Sequence, residues 1–281
     1  MTRLRLAIPN KGRLMEPTTD LLRDAGLVFE RTERTLTAPA LNVPIDLLFV
    51  RTEDVIEMVA DGVADAGIAG LDMLAELGTS LSVVAELGYG RCRLAAAVPA
   101  ASPIESLTDL DGGRVATAHP RLAASLLAER GISASIVPLH GSVEVAPRLG
   151  LADAVIDLVS SGSTLLVNGL RQIASLFDSQ AALLSPPGSN GAVARIATVL
   201  RSVVAGRRKR YVMMNAPREA LPLIESLIPG LQAPSVMPLA HNGLVAVHSV
   251  IDADDLWTVL PDLEAAGATG ILVLPIEQLI A

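Results

Sequence analysis

The order of residues in Asp157-Leu158-Val159-Ser160-Ser161-Gly162-Ser163-Thr164-Leu165 combines one acid, a glycine and four hydroxyls in nine positions. Such a set suits a sugar phosphate. An ionised carboxylate accepts hydrogen bonds from sugar hydroxyls, and Ser160, Ser161, Ser163 and Thr164 donate to phosphate oxygens. Gly162 lets the backbone approach a phosphate closely, and free N–H groups at a helix start attract one. For these groups to converge, the acid must end a strand and the hydroxyls must open a helix. Ala154, Val155, Ile156 and Leu158 read as a buried parallel strand, and Leu165, Leu166 and Leu170 as the apolar stripe of a helix starting at Thr164. A plain strand-turn-helix joint would share much of this pattern, so the segment needs support from the rest of the chain.

The chain has 281 residues, of which 51% are hydrophobic, enough for two or three packed domains. Met1-Thr2-Arg3-Leu4-Arg5-Leu6 passes straight into a strand pattern, without the apolar stretch and cleavage site of an export signal. No apolar run is long enough for a bilayer span. One cysteine, Cys92, rules out an internal disulfide framework and favours a reducing cytoplasm. Between Arg91 and Arg93 it reads as the entry to a buried strand, not as a nucleophile. A net charge of −8 and six aromatic residues argue against a nucleic-acid surface. The basic run Arg207-Arg208-Lys209-Arg210 reads as a solvated joint between domains.

Short apolar runs alternate with helical patterns, which predicts an α/β fold with largely parallel sheets. Strands are expected at 4–8, 45–50, 66–69, 94–98, 115–118, 135–137 and 154–158. Helices are expected at 14–25, around 55–59, from 71, at 122–129, near 143–149, and at 192–205 after a loop at 186–191. Two lobes around a cleft are the economical arrangement: 1–90, completed by 178–205, and 91–177. Loops following the strands at their carboxyl ends would open toward that cleft. From 206 to 281 the pattern becomes strand, helix, two strands, helix, strand, the ferredoxin-like unit. That module shows no acid-base pair or phosphate loop, so regulation or assembly suits it better than chemistry.

Reading back from the acid, Glu144, Gly150, Ala152, Val155, Asp157, Leu158, Ser161-Gly162 and Thr164-Leu165 resemble the long signature of the ATP phosphoribosyltransferase family. Ile8-Pro9-Asn10-Lys11-Gly12-Arg13-Leu14 and Asp65-Ala66-Gly67-Ile68-Ala69-Gly70-Leu71-Asp72 are similar to the same family, and the last module resembles the regulatory domain of its long form. The resemblance implies a two-lobed catalytic region like that of periplasmic binding proteins, with a C-terminal ferredoxin-like regulatory domain. It also implies transfer of the 5-phosphoribosyl group from phosphoribosyl pyrophosphate to N1 of ATP, the first step of histidine biosynthesis. Magnesium as cofactor, free histidine as inhibitor and a homo-oligomer between dimer and hexamer belong to the same implication.

Adenine N1 carries a lone pair at neutral pH, so no strong base is required, and no Ser-His-Asp or Cys-His arrangement supplies one. Asp157 is then expected on the ribose hydroxyls and Ser160 through Thr164 on the 5-phosphate. Lys11 and Arg13 would neutralise pyrophosphate or triphosphate, Lys11 acting with Asp157 on the reaction itself. Arg51 would assist them or pair with Asp54; Asp72 would contact nucleotide or metal, or cap a helix. Glu144 would hold magnesium through water or favour its helix N-terminus. His119, His140, His241 and His248 are too scattered for zinc, although His119, before Pro120 at a strand end, is a candidate to line the cleft. The main competing reading is a two-lobed solute-binding module, which the missing export signal and the intact Asp157–Thr164 segment oppose. A catalytically silent subunit would be expected to have lost that segment, and many other phosphoribosyltransferases carry two adjacent acids where Ile156 precedes Asp157.

Overall fold

Apolar runs buried on both faces form the central strands of the two larger sheets, as expected where helices cover a sheet on both sides. The computed structural model describes residues 3–32, 35–188, 191–241 and 243–280. The first two residues and part of the expected 186–191 loop lie outside them. In chain order the elements begin β1 (Leu4–Pro9), α1 (Met15–Asp24), β2 (Thr37–Pro39), β3 (Ile45–Val50), α2 (Thr52–Ala60), β4 (Ala66–Gly70), α3 (Leu71–Leu77) and β5 (Ser82–Glu86). Then come β6 (Cys92–Pro99), β7 (Arg114–Thr117), α4 (Pro120–Ala128), β8 (Ser135–Pro138), β9 (Ala154–Val159), α5 (Ser163–Val167), β10 (Leu170–Ser179), β11 (Ala181–Ser185) and α6 (Gly191–Arg207). The last are β12 (Lys209–Pro217), α7 (Leu221–Leu227), β13 (Ser235–Pro238), β14 (Leu244–Asp252), α8 (Leu256–Ala265) and β15 (Thr269–Pro275).

Two compact units result, one of residues 1–20 and 27–197, the other of 21–26 and 198 onward. The first holds two sheets, ordered β2-β3-β1-β4-β11-β5 and β10-β6-β9-β7-β8. Both are mixed, not largely parallel. Strand β1 runs parallel to β3 and β4, and β7 parallel to β8 and β9, while β2, β6, β10 and β11 run against their neighbours. Part of the difference comes from β10 and β11, which carry the chain back from the second sheet into the first. Residues 87–91 make the outward crossing, and its partner is the single step at Gln180; Ala181 N–H donates to Tyr89 O across them at 2.9 Å.

Alternation along the central strands of the second sheet fills two cores. Leu94, Ala96, Val98, Ala154 and Ile156 face one, with Leu122 and Leu126 of α4. Ala95, Ala97, Val155 and Val159 face the other, with Val143, Ala146 and Leu165. Asp157 has the parity of Val155 and Val159, so its side chain leaves the sheet on the face covered by α5 and the 143–146 turn.

Two expected helices are shorter than their apolar patterns. Only one 3₁₀ turn, Val143–Val145, forms in 143–149, because Pro147 lacks the N–H that would continue it. The helix expected to extend to Leu170 ends at Val167, where Gly169 turns left-handed (φ 69°) and Leu170 opens β10.

In the second unit, β12, α7, β13, β14, α8 and β15 follow the βαββαβ order and form an antiparallel sheet β13-β14-β12-β15. Strand β14 alternates strictly between buried and more exposed residues. Val212, Met214, Val245 and Val247 pack against Ile224 of α7 and Leu263 of α8.

Candidate active site

At the carboxyl end of β9 the chain closes a small cavity of about 160 Å³, lined by Glu144, Asp157, Ser160, Ser161, Gly162 and Thr164 among others. The structure thus brings Glu144, thirteen residues upstream of Asp157, to the same wall as the hydroxyl loop. Gly162 is the N-cap of α5 with φ 82°, a left-handed conformation that favours glycine. Leu165 is buried and pins α5 to the sheet, while Ser160, Ser161, Ser163 and Thr164 are exposed. Ser161 Oγ lies 3.0 Å from Ser163 Oγ, holding the loop in a tight turn. Ser142, left-handed at φ 49° without being glycine, sets the approach of Glu144.

Asp157 Oδ1 accepts a hydrogen bond from the Leu158 N–H at 2.7 Å. Burial pushes its carboxyl above the ordinary range; that N–H and the charge of His119 offset part of the effect, and the charge of Glu144 adds to it. Two carboxylates therefore share one small cavity, an arrangement relieved by a cation.

Lys11 and Arg51 follow β1 and β3, whose ends are paired Pro9 to Val50, so they leave the same edge of the first sheet side by side. Both are exposed, and neither makes an ion pair among the described residues; Arg51 is the N-cap of α2 by backbone position and is not bridged to Asp54.

Arg13 and Asp72 do something different: they meet each other. Arg13 Nη2 lies 3.1 Å from Asp72 Oδ1, and Arg13 Nη1 donates to Gly90 O in the outward crossing. Asp72 is 2% exposed and lies in the first turn of α3, whose N-cap is Gly70, so the capping role falls away. It also accepts from Ser179 Oγ, at the return crossing, and faces His119 Nε2 of the second lobe at 3.5 Å. Burial alone would raise this carboxyl, but the bonds from His119 and Ser179 and the Arg13 charge prevail and hold it below the ordinary range. Burial pushes the Cys92 thiol up, in keeping with an inert cysteine at the start of β6. Reading the sequence by motifs missed Ser179 and Glu76; the signal available for Glu76 was its four-residue spacing from Asp72 on one short helix.

A two-lobed α/β unit with an acid and a hydroxyl loop at the end of a central strand defines a class of proteins that handle sugar phosphates. Comparison with known proteins is more specific. Residues 51–204 match the family described as ATP phosphoribosyltransferase, and residues 206–278 match its C-terminal domain. The ATP phosphoribosyltransferase of Gemmatimonas aurantiaca is 44% identical over 291 residues, and that of Cytophaga hutchinsonii 41% over 283, each alignment covering 99% of both chains. Among solved structures, the ATP phosphoribosyl transferase (HisG:HisZ) complex from Thermotoga maritima is similar at 31% identity and a TM-score of 0.62, covering 72% of this chain and 98% of that one. The chain belongs to the ATP phosphoribosyltransferase family, the first enzyme of histidine biosynthesis, in its long form.

Proposed function

We propose that the two sides of the cleft divide the phosphoribosyl transfer between them: the cavity at the end of β9 holds 5-phosphoribosyl pyrophosphate, and the edge carrying Lys11 and Arg51 holds polyphosphate. The observation that carries this reading is the convergence of Glu144, Asp157 and the 160–164 loop on one cavity. Asp157 accepts from the ribose hydroxyls and faces the positive charge that develops at C1 as its bond to pyrophosphate oxygen breaks. Loop hydroxyls and N–H groups hold the 5-phosphate. Adenine N1 of ATP forms the new bond to C1. Lys11 and Arg51 stabilise the leaving charge, so catalysis rests on placement and electrostatics.

Magnesium fits the shared cavity, because it is held by one or two carboxylates together with substrate phosphates, and Glu144 with Asp157 are two carboxylates whose charges oppose each other. When bound it supplies charge neutralisation for the departing pyrophosphate. The intact protein with ATP, phosphoribosyl pyrophosphate and magnesium should yield the N1-substituted adenine, followed by its ultraviolet absorbance. Excess chelator should abolish the signal, and turnover unaffected by chelation would remove the metal from the scheme.

The βαββαβ unit is proposed to take free histidine and restrain the catalytic unit within a homo-oligomer of up to six chains, acting in the cytoplasm. Support comes from its match to the family's C-terminal domain and from its separate core. About 100-fold tighter binding to the restrained arrangement would supply roughly 2.7 kcal/mol of coupling per site. The intact chain is the right material, since α6 continues to Arg207 and a cut near Ala205 would sever it inside the second unit. Histidine titrated into the assay should lower the rate and leave a single mass in solution; a rate indifferent to histidine reduces this unit to assembly. Among the described residues no helix is long and apolar enough to cross a membrane.

A further inference from the structure

We propose that Asp72 and Glu76 of α3 are positioning residues that clamp the two lobes of the first unit at a fixed angle, and so set the separation between the cations of the first sheet and the hydroxyl loop of the second. This rests on the division of substrates between the lobes argued above.

Helix α3 belongs to the first lobe and α4 to the second, and the two are joined end to end by charge. Glu76, 8% exposed, receives the N–H of Arg121 on Oε1 at 3.1 Å and the N–H of Leu122 on Oε2 at 2.8 Å. These are two of the donors that the start of α4 leaves without an intrahelical partner. In the other direction, Arg121 Nη1 donates to Leu77 O at 3.2 Å, in the last turn of α3. A carboxylate thus meets a helix N-terminus and a guanidinium meets a helix C-terminus, both favourable to the peptide dipoles. One turn earlier Asp72 faces His119, the N-cap residue of α4 and itself 6% exposed. Spaced four residues apart, Asp72 and Glu76 point the same way from the helix. Ala75, between them, packs on the second lobe's core.

The clamp adds a third tie beside the two crossings. Asp72 is bonded to Ser179 at the return crossing, and Arg13 joins Asp72 to Gly90 at the outward one. All three ties therefore meet at one buried carboxylate. Lobes joined only by two strands swing freely, as a solute trap requires. A buried charge network across the joint instead holds them, which is what a reaction between two separately bound phosphorylated substrates needs, because an error of about 1 Å in their approach costs up to about 10²-fold in rate.

The test uses the full chain with spin labels at Asp61→Cys in the first lobe and Ser135→Cys in the second, both exposed positions, while the native Cys92 is buried. The unaltered clamp should give one narrow interlobe distance. Glu76→Ala should broaden or shift it and lower kcat about 10-fold or more, with the KM for phosphoribosyl pyrophosphate changing less than kcat, since the loop that holds its 5-phosphate lies in one lobe. Glu76→Gln keeps the shape and one acceptor, so it should fall between the two; it also decides the matter if Glu76→Ala does not fold. A narrow, unshifted distance in a folded Glu76 variant overturns the clamp, whatever its activity. A broadened distance with kcat unchanged overturns the positioning role. Absence of phosphoribosyl-ATP from the unaltered protein would instead strike the proposed reaction, leaving the distance measurement to judge the clamp by itself.

Discussion

Asp157→Asn in the intact chain should cut kcat/KM for phosphoribosyl transfer about 10²-fold or more, the scale of removing one preorganised electrostatic group, while making the ligand-free protein more stable at neutral pH. The two effects have one cause. Burial and the neighbouring Glu144 raise the carboxyl's pKa in the fold above its value of 3.8 in the unfolded chain, against the partial relief given by the Leu158 N–H and His119. Between those two values the native state holds the proton more tightly, so stability falls as pH rises through the window, and above it the full penalty of the buried charge is present. Asparagine carries no charge and no such penalty. Its melting temperature should exceed that of the unaltered protein at pH 7 and converge with it in acid below both pKa values. Substrate and metal normally offset the penalty, so the gap should narrow when phosphoribosyl pyrophosphate and magnesium are added. Normal kinetics in a folded Asp157→Asn variant would free this residue of any role at the reacting carbon.

Gly162→Val should weaken phosphoribosyl pyrophosphate binding by about 10- to 100-fold, equivalent to roughly 1–3 kcal/mol of backbone strain. The reason is conformational. A Cβ at this position would find its nearest neighbour, Val159 Cγ1, 3.9 Å away, so the protein itself leaves room for it. What valine resists is φ 82°, because its branched side chain disfavours the left-handed region, and the loop would be forced to turn otherwise. The hydroxyls of Ser161 and Ser163 would then lose their 3.0 Å contact and their common direction. Gly162→Ala, less hindered, should bind with intermediate affinity. Calorimetry on both variants distinguishes this account from simple crowding, which would leave alanine nearly normal. Unchanged affinity in the valine variant means that the phosphate is held elsewhere.

Much of this site was legible in the chain because its parts are close in sequence. A strand and the loop that follows it are local structure, so the order of Asp157, Ser160, Gly162 and Thr164 already implied an acid beside a hydroxyl turn. The C-terminal βαββαβ order was readable for a similar reason: each element has its own period, and β14 alternates without interruption. Strands β10 and β11 were not readable. The first is broken by two register shifts, which scramble its alternation, and all five residues of the second are buried, so it shows no alternation at all.

Sequence by itself determined the family, the hydroxyl loop and the residue types available for phosphate and ribose, since these depend on spacing within one segment or on whole-chain similarity. Only the tertiary structure decided which charges remain available. Lys11 and Arg13 look equivalent in a glycine-containing turn, yet Lys11 leaves the sheet edge exposed while Arg13 joins Asp72 and Gly90 between the lobes. Asp72 follows a buried strand and Asp157 lies near the end of one, yet burial is outweighed at Asp72 by His119, Ser179 and Arg13, and prevails at Asp157. The sign of a carboxylate's pKa shift is a sum over neighbours brought from distant parts of the chain, and no local pattern contains that sum.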